Sequence, residues 1–403
     1  MIKFLVINQD LRISGTSEGI VSRSFLGKLR TSYPDAIIDV VYIKTYERED
    51  QLNLLPVNSI KSHLISTKIP FFIKFVNRFY WRIFHESIND NFQIKKYTKI
   101  IKNIDYQNYN HIFIRSAGLE HEMILATKNL PILKKAIINF HDSYPLFWYV
   151  GTKTKLSNLE LFRFKNMYEV ISQSKICSSP AQMLSNDLEH LYGARKKFYT
   201  YPHQFCASVF DFSDNQKVLK KTKKVTISYH GAIMFGRDIE IVLDAYQELV
   251  KNIPIFKENT EFVCRMKGVN LAEMVKKYQN TTNIVLLDTL DFANSSNEQI
   301  HEADILLILE NGPLYSNTLM GKAPFLAALK KPILTLSPER SEIRGLIKNE
   351  KYIATMNNKT EIKQKLENLI KERLISEEDV FPFGDYFSDE NFKIMLDKVL
   401  IYN

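Results

Sequence analysis

The sequence predicts an α/β protein made of two doubly wound parallel-sheet domains facing a cleft, and three observations predict it. Apolar runs of about four to eight residues recur along the chain, each followed by polar residues and then by a stretch of helical period. The string Ala303-Asp-Ile-Leu-Leu-Ile-Leu-Glu310, continued by 322–330 and 332–336, reads as buried strand, polar loop, helix and second buried strand. At 403 residues the chain exceeds one typical core and suits two α/β domains.

In order, the first half starts with a strand at 4–8, a loop Gly15-Thr16-Ser17-Glu18-Gly19 and a helix at 20–32. Further strands are expected at 36–43, 111–115 and 136–140, each ending in polar residues. Residues 176–180 end another strand and open a helix at 181–192, with Gly193 as its C-cap. The pattern restarts near 201–205, and 211–224 is polar and lysine-rich, as a linker would be. The second half alternates in the same way. Strands are expected at 225–229, 261–267, 284–287, 305–309 and 333–336, with helices at 239–252, 271–278, 297–303 and 322–330. Strands alternating with helices imply parallel sheets with right-handed crossovers.

Hydrophobic residues make up 45% of the chain and charged residues 25%, a globular composition. Cys177, Cys206 and Cys264 lie far apart without metal-ligand spacing and suit buried thiols in a reducing compartment. The N-terminus lacks the layout of a signal peptide, and no apolar run reaches the roughly 18 residues of a membrane span. The expected location is therefore the cytoplasm. The net charge of +9 comes with lysine along the whole chain, an Ile-, Lys- and Asn-rich composition and no nucleic-acid-binding signature. No nucleic-acid partner is expected.

Residues 69–84 are unusual. On a helix, Phe72, Phe75, Val76, Phe79 and Ile83 share a face, Lys74, Arg78 and Arg82 form a basic row, and Tyr80 and Trp81 are interfacial types. Such a helix suits a peripheral membrane contact as well as packing on its own domain.

The opening string resembles the nucleotide-sugar site of glycosyltransferases with the GT-B fold, family 4-like, in which an "ADvlll" strand, a loop and a "K-l-f-e-Y-l-a-a-g-k-P-i-l" segment follow one another. Lys322 matches the motif lysine, ten residues before Pro332. Gly231 and Arg237 hold the spacing of the family's "G-x5-(K/R)" loop, whose basic residue contacts donor phosphate. Asn139-Phe-His141-Asp142 resembles the "HD" that follows a strand, and Ser178-Ser179-Pro180 resembles another strand end of the family. The resemblance implies two Rossmann-like domains, 1–205 on the acceptor side and 206–387 for the nucleotide sugar, with a last helix in 388–403 returning to the first.

What it implies for chemistry follows. The donor is a UDP- or GDP-linked sugar used as co-substrate, with no further cofactor and no metal. Arg237 and Lys322 stabilise the charge that grows on the leaving diphosphate. Gly231, Glu310 and Asn317 complete the donor site. His141 approaches the sugar, and Asp142 either deprotonates an acceptor hydroxyl or caps the next segment. Gly15, Thr16, Ser17 and Glu18 offer amides and a carboxylate to acceptor or diphosphate. The chain departs from the pattern at one point. Retaining members carry two glutamates eight positions apart before the final proline, and here those positions hold Asn317 and Phe325. Retention and inversion both stay open.

The expected function is transfer of a sugar to a glycan or lipid-linked acceptor in bacterial surface polysaccharide synthesis. The membrane contact would be at the inner face of the plasma membrane, through Phe72, Lys74, Phe75, Arg78, Phe79, Trp81 and Arg82. A nucleotide-sugar epimerase and a non-catalytic GT-B module that binds a glycan or partner are the alternatives.

Overall fold

Strands that are covered on both faces need no polar side, and the runs that read as continuous apolar segments are the ones that form the two sheet centres. The computed structural model describes residues 1–48, 50–193 and 196–402. The chain divides into two units, Met1–Val209 with Ser388–Asn403, and Phe210–Phe387.

The first unit contains seven strands: β1 (Lys3–Asn8), β2 (Ile37–Lys44), β3 (Ser59–Leu64), β4 (His111–Arg115), β5 (Ala136–Asn139), β6 (Ile176–Ser179) and β7 (Phe198–Thr200). They form one parallel sheet in the order β3-β2-β1-β4-β5-β6-β7. Its crossovers carry α1 (Ser17–Ser32), α2 (Phe71–Phe84), α3 (Ile88–Ile101), α4 (Glu122–Leu125), α5 (Asn158–Gln173) and α6 (Gln182–Tyr192). Phe4, Val6, Ile38, Ile112, Phe113, Ile137 and Ile138 fill the centre of this unit and are fully buried or nearly so. The strand order reverses direction between β1 and β4, the kind of switch point beside which ligands bind at the carboxyl ends of strands.

The second unit repeats the pattern with β8 (Val225–Ala232), β9 (Thr260–Lys267), β10 (Ile284–Leu287), β11 (Ile305–Leu309), β13 (Ile333–Ser337) and β15 (Ile353–Thr355), in the order β10-β9-β8-β11-β13-β15. A small parallel pair, β12 (Tyr315–Ser316) and β14 (Arg340–Ser341), stands apart. The helices are α7 (Glu240–Asn252), α8 (Pro254–Asn259), α9 (Leu271–Tyr278), α10 (Phe292–His301), α11 (Ala323–Ala328), α12 (Glu342–Leu346) and α13 (Lys359–Ile375). The last helix, α14 (Asp389–Ile401), belongs to the first unit, where Phe392 meets Phe25 of α1 edge-on at 6.3 Å. Asn403, which closes the expected C-terminal segment, lies outside the described residues.

Three helices depart most from expectation, two of them because of their caps. α1 begins at Ser17 rather than residue 20 because Thr16 caps it, accepting from the Gly19 N–H at 3.4 Å. Gly19 is required there, since a Cβ would lie 2.1 Å from the Arg12 carbonyl oxygen. The helix expected at 297–303 starts at Phe292, because Asp291 accepts from the Asn294 N–H at 3.0 Å. The helix expected at 322–330 is the six-residue α11. The expected linker at 211–224 is tied down within its own unit: Lys217 N–H donates to Asn294 Oδ1 at 2.9 Å and Leu219 N–H to Glu298 Oε2 at 2.8 Å.

Candidate functional site

In the second unit, the polar side chains gather where β8, β11 and β13 end. Arg237 follows a turn at Gly236, whose φ is +82° and where a Cβ would lie 2.3 Å from the Gly312 carbonyl oxygen, so no side chain fits. That turn returns the Arg237 guanidinium to β8, where Nη1 donates to the Ala232 carbonyl at 3.0 Å and Nε to Asn311 Oδ1 at 3.1 Å. Lys322 stands just before α11. Its Nζ donates to the His230 carbonyl at 3.3 Å and sits 4.3 Å from the centre of the Tyr229 ring. Gly231 forms the adjoining wall, since a Cβ there would stand 3.5 Å from Lys322 Nζ.

Gly231, Arg237 and Lys322 thus meet in one place, as the spacing suggested. Neither cation forms an ion pair with a carboxylate among the described residues. Burial pushes the Lys322 ammonium well below its usual range, and the Arg237 charge pushes it further. Two like charges held together without an anion are unfavourable by themselves and favourable once a polyanion arrives. The six-residue α11 is too short to contribute a strong dipole, so the attraction for an anion rests on the two side chains.

The strand that carries Lys322's acceptor is itself braced. His230 lies with Nδ1 2.8 Å from Ser295 Oγ and Nε2 3.3 Å from Glu298 Oε1, and Arg265 Nε donates to Glu298 Oε1 at 2.9 Å. Burial opposes ionisation of Glu298, but hydrogen bonds from His230 and Arg265 hold its carboxyl down to about 2.

Glu310 and Asn317 are both buried. Glu310 is fully buried, and Ser341 Oγ donates to its Oε2. Burial raises the carboxyl to about 7 despite hydrogen bonds from Ser337, Ser341 and Ser316. It links β11 to the β12–β14 pair as an acid and presents no charge at the surface. Asn317 follows β12 and is buried; Phe325, at the other family position, packs edge-on against Phe292 at 6.1 Å as core. Because the folded pKa of Glu310 lies above its unfolded value near 4.5, its contribution to stability is complete below about pH 4.5 and is lost as pH rises through 7. A shift of that size corresponds to about 3 kcal/mol. In Glu310→Gln this part of the pH dependence should vanish, so melting curves of variant and wild type between about pH 5 and 8 should diverge. Parallel curves would contradict the assignment.

The first unit holds a second polar constellation. Register aligns Asn8 with Arg115, Arg115 with Asn139, and Asn139 with Ser178, a polar row across the carboxyl ends of β1, β4, β5 and β6. Just beyond β5, the His141 backbone N–H donates to Ser116 Oγ at 2.9 Å, which ties the chain there to the residue after β4. Asn139 Nδ2 donates to Ser178 Oγ at 3.2 Å, so its Oδ1 accepts from His141 Nε2 at 3.0 Å. The remaining ring nitrogen, Nδ1, faces Glu18 Oε2 in a short hydrogen bond. With Nε2 carrying the proton, a neutral imidazole accepts at Nδ1, and Glu18 donates as an acid.

The electrostatics agree with this assignment. Burial, then the Asp10 charge, raise Glu18 to about 7. Burial, then Arg115, hold His141 well below the usual imidazole range. The Glu18 side chain is 16% exposed and that of His141 1%, so Glu18 is the member a ligand can reach. Arg115 is 2% exposed, with Nη1 donating to the Tyr201 hydroxyl at 3.3 Å and its guanidinium carbon 4.0 Å from the Phe25 ring centre. It has no carboxylate partner at ion-pair distance among the described residues, and its Nε is buried without a partner. Asn8 is likewise buried with both amide atoms unpartnered.

Of the loop residues singled out from the sequence, Gly15 and Ser17 are exposed. Thr16 Oγ1 donates to Asp10 Oδ2 at 2.9 Å while capping α1, and Glu18 alone reaches the histidine. Asp142 is half-buried, and the His141 ring is engaged by Glu18 and Asn139 instead. Sequence reasoning missed Asn8, Asp10 and Arg115; the polar residues that close strands β1 and β4 were the available signal. No group of three or more His, Cys, Asp or Glu positioned to hold a metal ion occurs among the described residues.

No family model matches the chain, and no curated sequence matches it. Among solved structures it is similar to UDP-GlcNAc 2-epimerase from Neisseria meningitidis bound to UDP-GlcNAc, at 13% identity over 100% of both chains and a TM-score of 0.58. It is also similar to the Candida albicans trehalose-6-phosphate phosphatase N-terminal domain, at 9% identity, 100% and 97% coverage and a TM-score of 0.61. A third is the E. coli trehalose-6-phosphate protein bound with UDP-2-fluoro glucose, at 10% identity, 100% and 96% coverage and 0.57. These likenesses, with the two parallel sheets, define the fold as GT-B.

Proposed function

We propose that this chain is a nucleotide-sugar enzyme, and specifically a glycosyltransferase that moves a hexose from a UDP- or GDP-linked donor to a glycan or lipid-linked acceptor. The observation that carries the reading is the pair of cations, Arg237 and Lys322, that meet at the carboxyl end of β8 without carboxylate partners among the described residues. A sugar leaving its nucleotide breaks the bond between its anomeric carbon and a diphosphate oxygen, and that oxygen keeps the electron pair. A guanidinium and an ammonium aimed at the growing charge stabilise the transition state more than the ground state. Neighbours of the same fold were solved with UDP-GlcNAc and UDP-2-fluoro glucose bound, which supports a nucleotide sugar here by analogy of fold. In the first unit, Glu18 in its anionic form would accept a proton from an acceptor hydroxyl, and in its acid form it donates to His141 Nδ1. Surface polysaccharide synthesis is the process that such an acceptor fits.

The test is thermal stabilisation by a panel of nucleoside diphosphates and their sugars. One base should raise the melting temperature selectively, and a mixed-acceptor assay with that donor should release the free nucleoside diphosphate. No stabilisation by any member would overturn the reading. Activity is expected to survive EDTA, because the chain contains no Asp-x-Asp pair and two cations occupy the position where a divalent ion would neutralise phosphate. Abolished turnover restored by Mg²⁺ or Mn²⁺ would contradict that.

A second reading, nucleotide-sugar epimerase, is favoured by one observation: the Glu18 carboxyl, hydrogen-bonded to His141, is raised to about 7 and can give or take a proton near neutral pH. Epimerisation by proton removal exchanges a carbon-bound hydrogen with solvent, whereas glycosyl transfer does not. Incubation with the stabilising donor in D₂O separates the two by deuterium in the sugar. Binding without either reaction would leave the non-catalytic module.

A further inference from the structure

The positive charge of this chain is concentrated, not diffuse. Residues 61–102 hold nine lysines and arginines against two acids, a net +7 of the chain's +9. One of those acids, Asp90, accepts from Arg163 Nε at 2.8 Å, which leaves Glu86. The segment comprises most of β3 and all of α2 and α3. It is fixed to its own unit: the Thr98 hydroxyl donates to the Ala126 carbonyl at 3.1 Å, and the Asp90 contact ties α3 to Arg163 of α5.

α2 has no buried residue. Ile73, Val76, Asn77, Tyr80 and Trp81 are half-buried, so that side of the helix meets the fold, and the sequence-based placement of Val76 and Trp81 on the outer face is corrected. The outer stripe is Phe71, Phe72, Phe75, Phe79 and Ile83, exposed between 48% and 83%. Phe75 and Phe79 pack on each other edge-on at 5.3 Å, and no described residue covers them from outside. Lys74, Arg78 and Arg82, all exposed, run along the border of the stripe at successive turns. Packing on its own unit therefore does not explain this face, and a contiguous aromatic patch of this kind marks an interaction surface.

We infer that α2 docks this chain on the surface of an anionic phospholipid bilayer. Phe72, Phe75, Phe79 and Ile83 enter the boundary between headgroups and acyl chains, while Lys74, Arg78 and Arg82 meet lipid phosphates, with the lysines of α3 adding longer-range attraction. Charge complementarity selects the anionic surface, and the uninterrupted apolar stripe selects lipid over a nucleic acid, which would engage the basic row alone. The inference does not rest on the nucleotide-sugar reading, and its test uses no nucleotide.

The test is co-sedimentation of the full chain with vesicles of phosphatidylcholine and phosphatidylglycerol, about 7:3, against pure phosphatidylcholine. Wild type should bind the mixed vesicles, and binding should fall between about 0.05 and 0.5 M salt. Lys74→Gln/Arg78→Gln/Arg82→Gln should weaken it roughly a hundredfold, since each basic residue near such a surface contributes about fivefold. Phe75→Ser/Phe79→Ser should also abolish it, with both variants keeping the wild-type melting temperature. Wild type that stays in solution with mixed vesicles overturns the inference. So does a Ser variant that binds vesicles normally, tight binding of an oligonucleotide that only the Gln variant loses, or a wild-type dimer that only the Ser variant breaks. A lowered melting temperature in the Ser variant would return the face to packing and overturn it too.

Discussion

Replacing Arg237 or Lys322 by alanine should lower turnover of the nucleotide sugar about 100- to 1,000-fold, the usual loss when one donor to a developing oxyanion is removed. The fold should survive both changes. Arg237 holds a carbonyl and one amide oxygen, contacts that water can replace, and Lys322 is an ammonium whose protonation burial already disfavours. Lys322→Met is the sharper probe, because it keeps the contact with the Tyr229 ring while deleting the charge. The free variant should melt no lower than wild type, yet lose the stabilisation that a nucleoside diphosphate confers. Wild-type turnover in both alanine variants would remove these residues from the site.

The second large effect concerns Glu18. Glu18→Gln preserves shape and removes the exchangeable acid, so the rate should fall by about 10²- to 10⁴-fold. In wild type, a carboxyl raised to about 7 must lose its proton before it can act as a base. The rate should therefore rise with pH through about 7, and this limb should disappear in the Gln variant. His141→Ala takes away the acceptor of the Glu18 proton and should move the limb as well as lower the rate. A purely structural role predicts something else: lower melting temperatures with an unshifted pH profile.

The doubly wound α/β reading holds because β1, β4, β8, β9, β11 and β13 are covered on both faces and therefore read as nearly continuous apolar runs. β3 was not legible. Ser59-Ile-Lys-Ser-His-Leu64 is an edge strand with mostly exposed side chains, so neither face imposes a pattern. β7 and β15 are three residues each, too short for any period. α13 carried a readable signal, with Asn358 capping the Glu361 N–H and Ile362, Leu366, Leu369 and Ile370 at helical spacing.

The sites divide in the same manner. Gly231 and Arg237 belong to the end of β8 and Lys322 to the start of α11, positions that sequence can place, and their convergence follows from β8 lying beside β11. The partnership of Glu18 with His141 spans 123 residues and arises from the register of β1, β4 and β5, which no local spacing encodes. Glu310 was correctly put at the end of a strand. Its serine surroundings come from residues 316, 337 and 341, so its burial could not be read from its own neighbours.

The most direct test of the central claim is calorimetric titration of the chain with UDP and GDP, comparing wild type with the Arg237→Ala/Lys322→Ala double variant. Wild type should bind one of the two, with Arg237 and Lys322 meeting the diphosphate. The double variant should lose at least about a hundredfold in affinity, close to 3 kcal/mol. Equal affinity in the two proteins, or no binding of either nucleotide by wild type, would contradict the account.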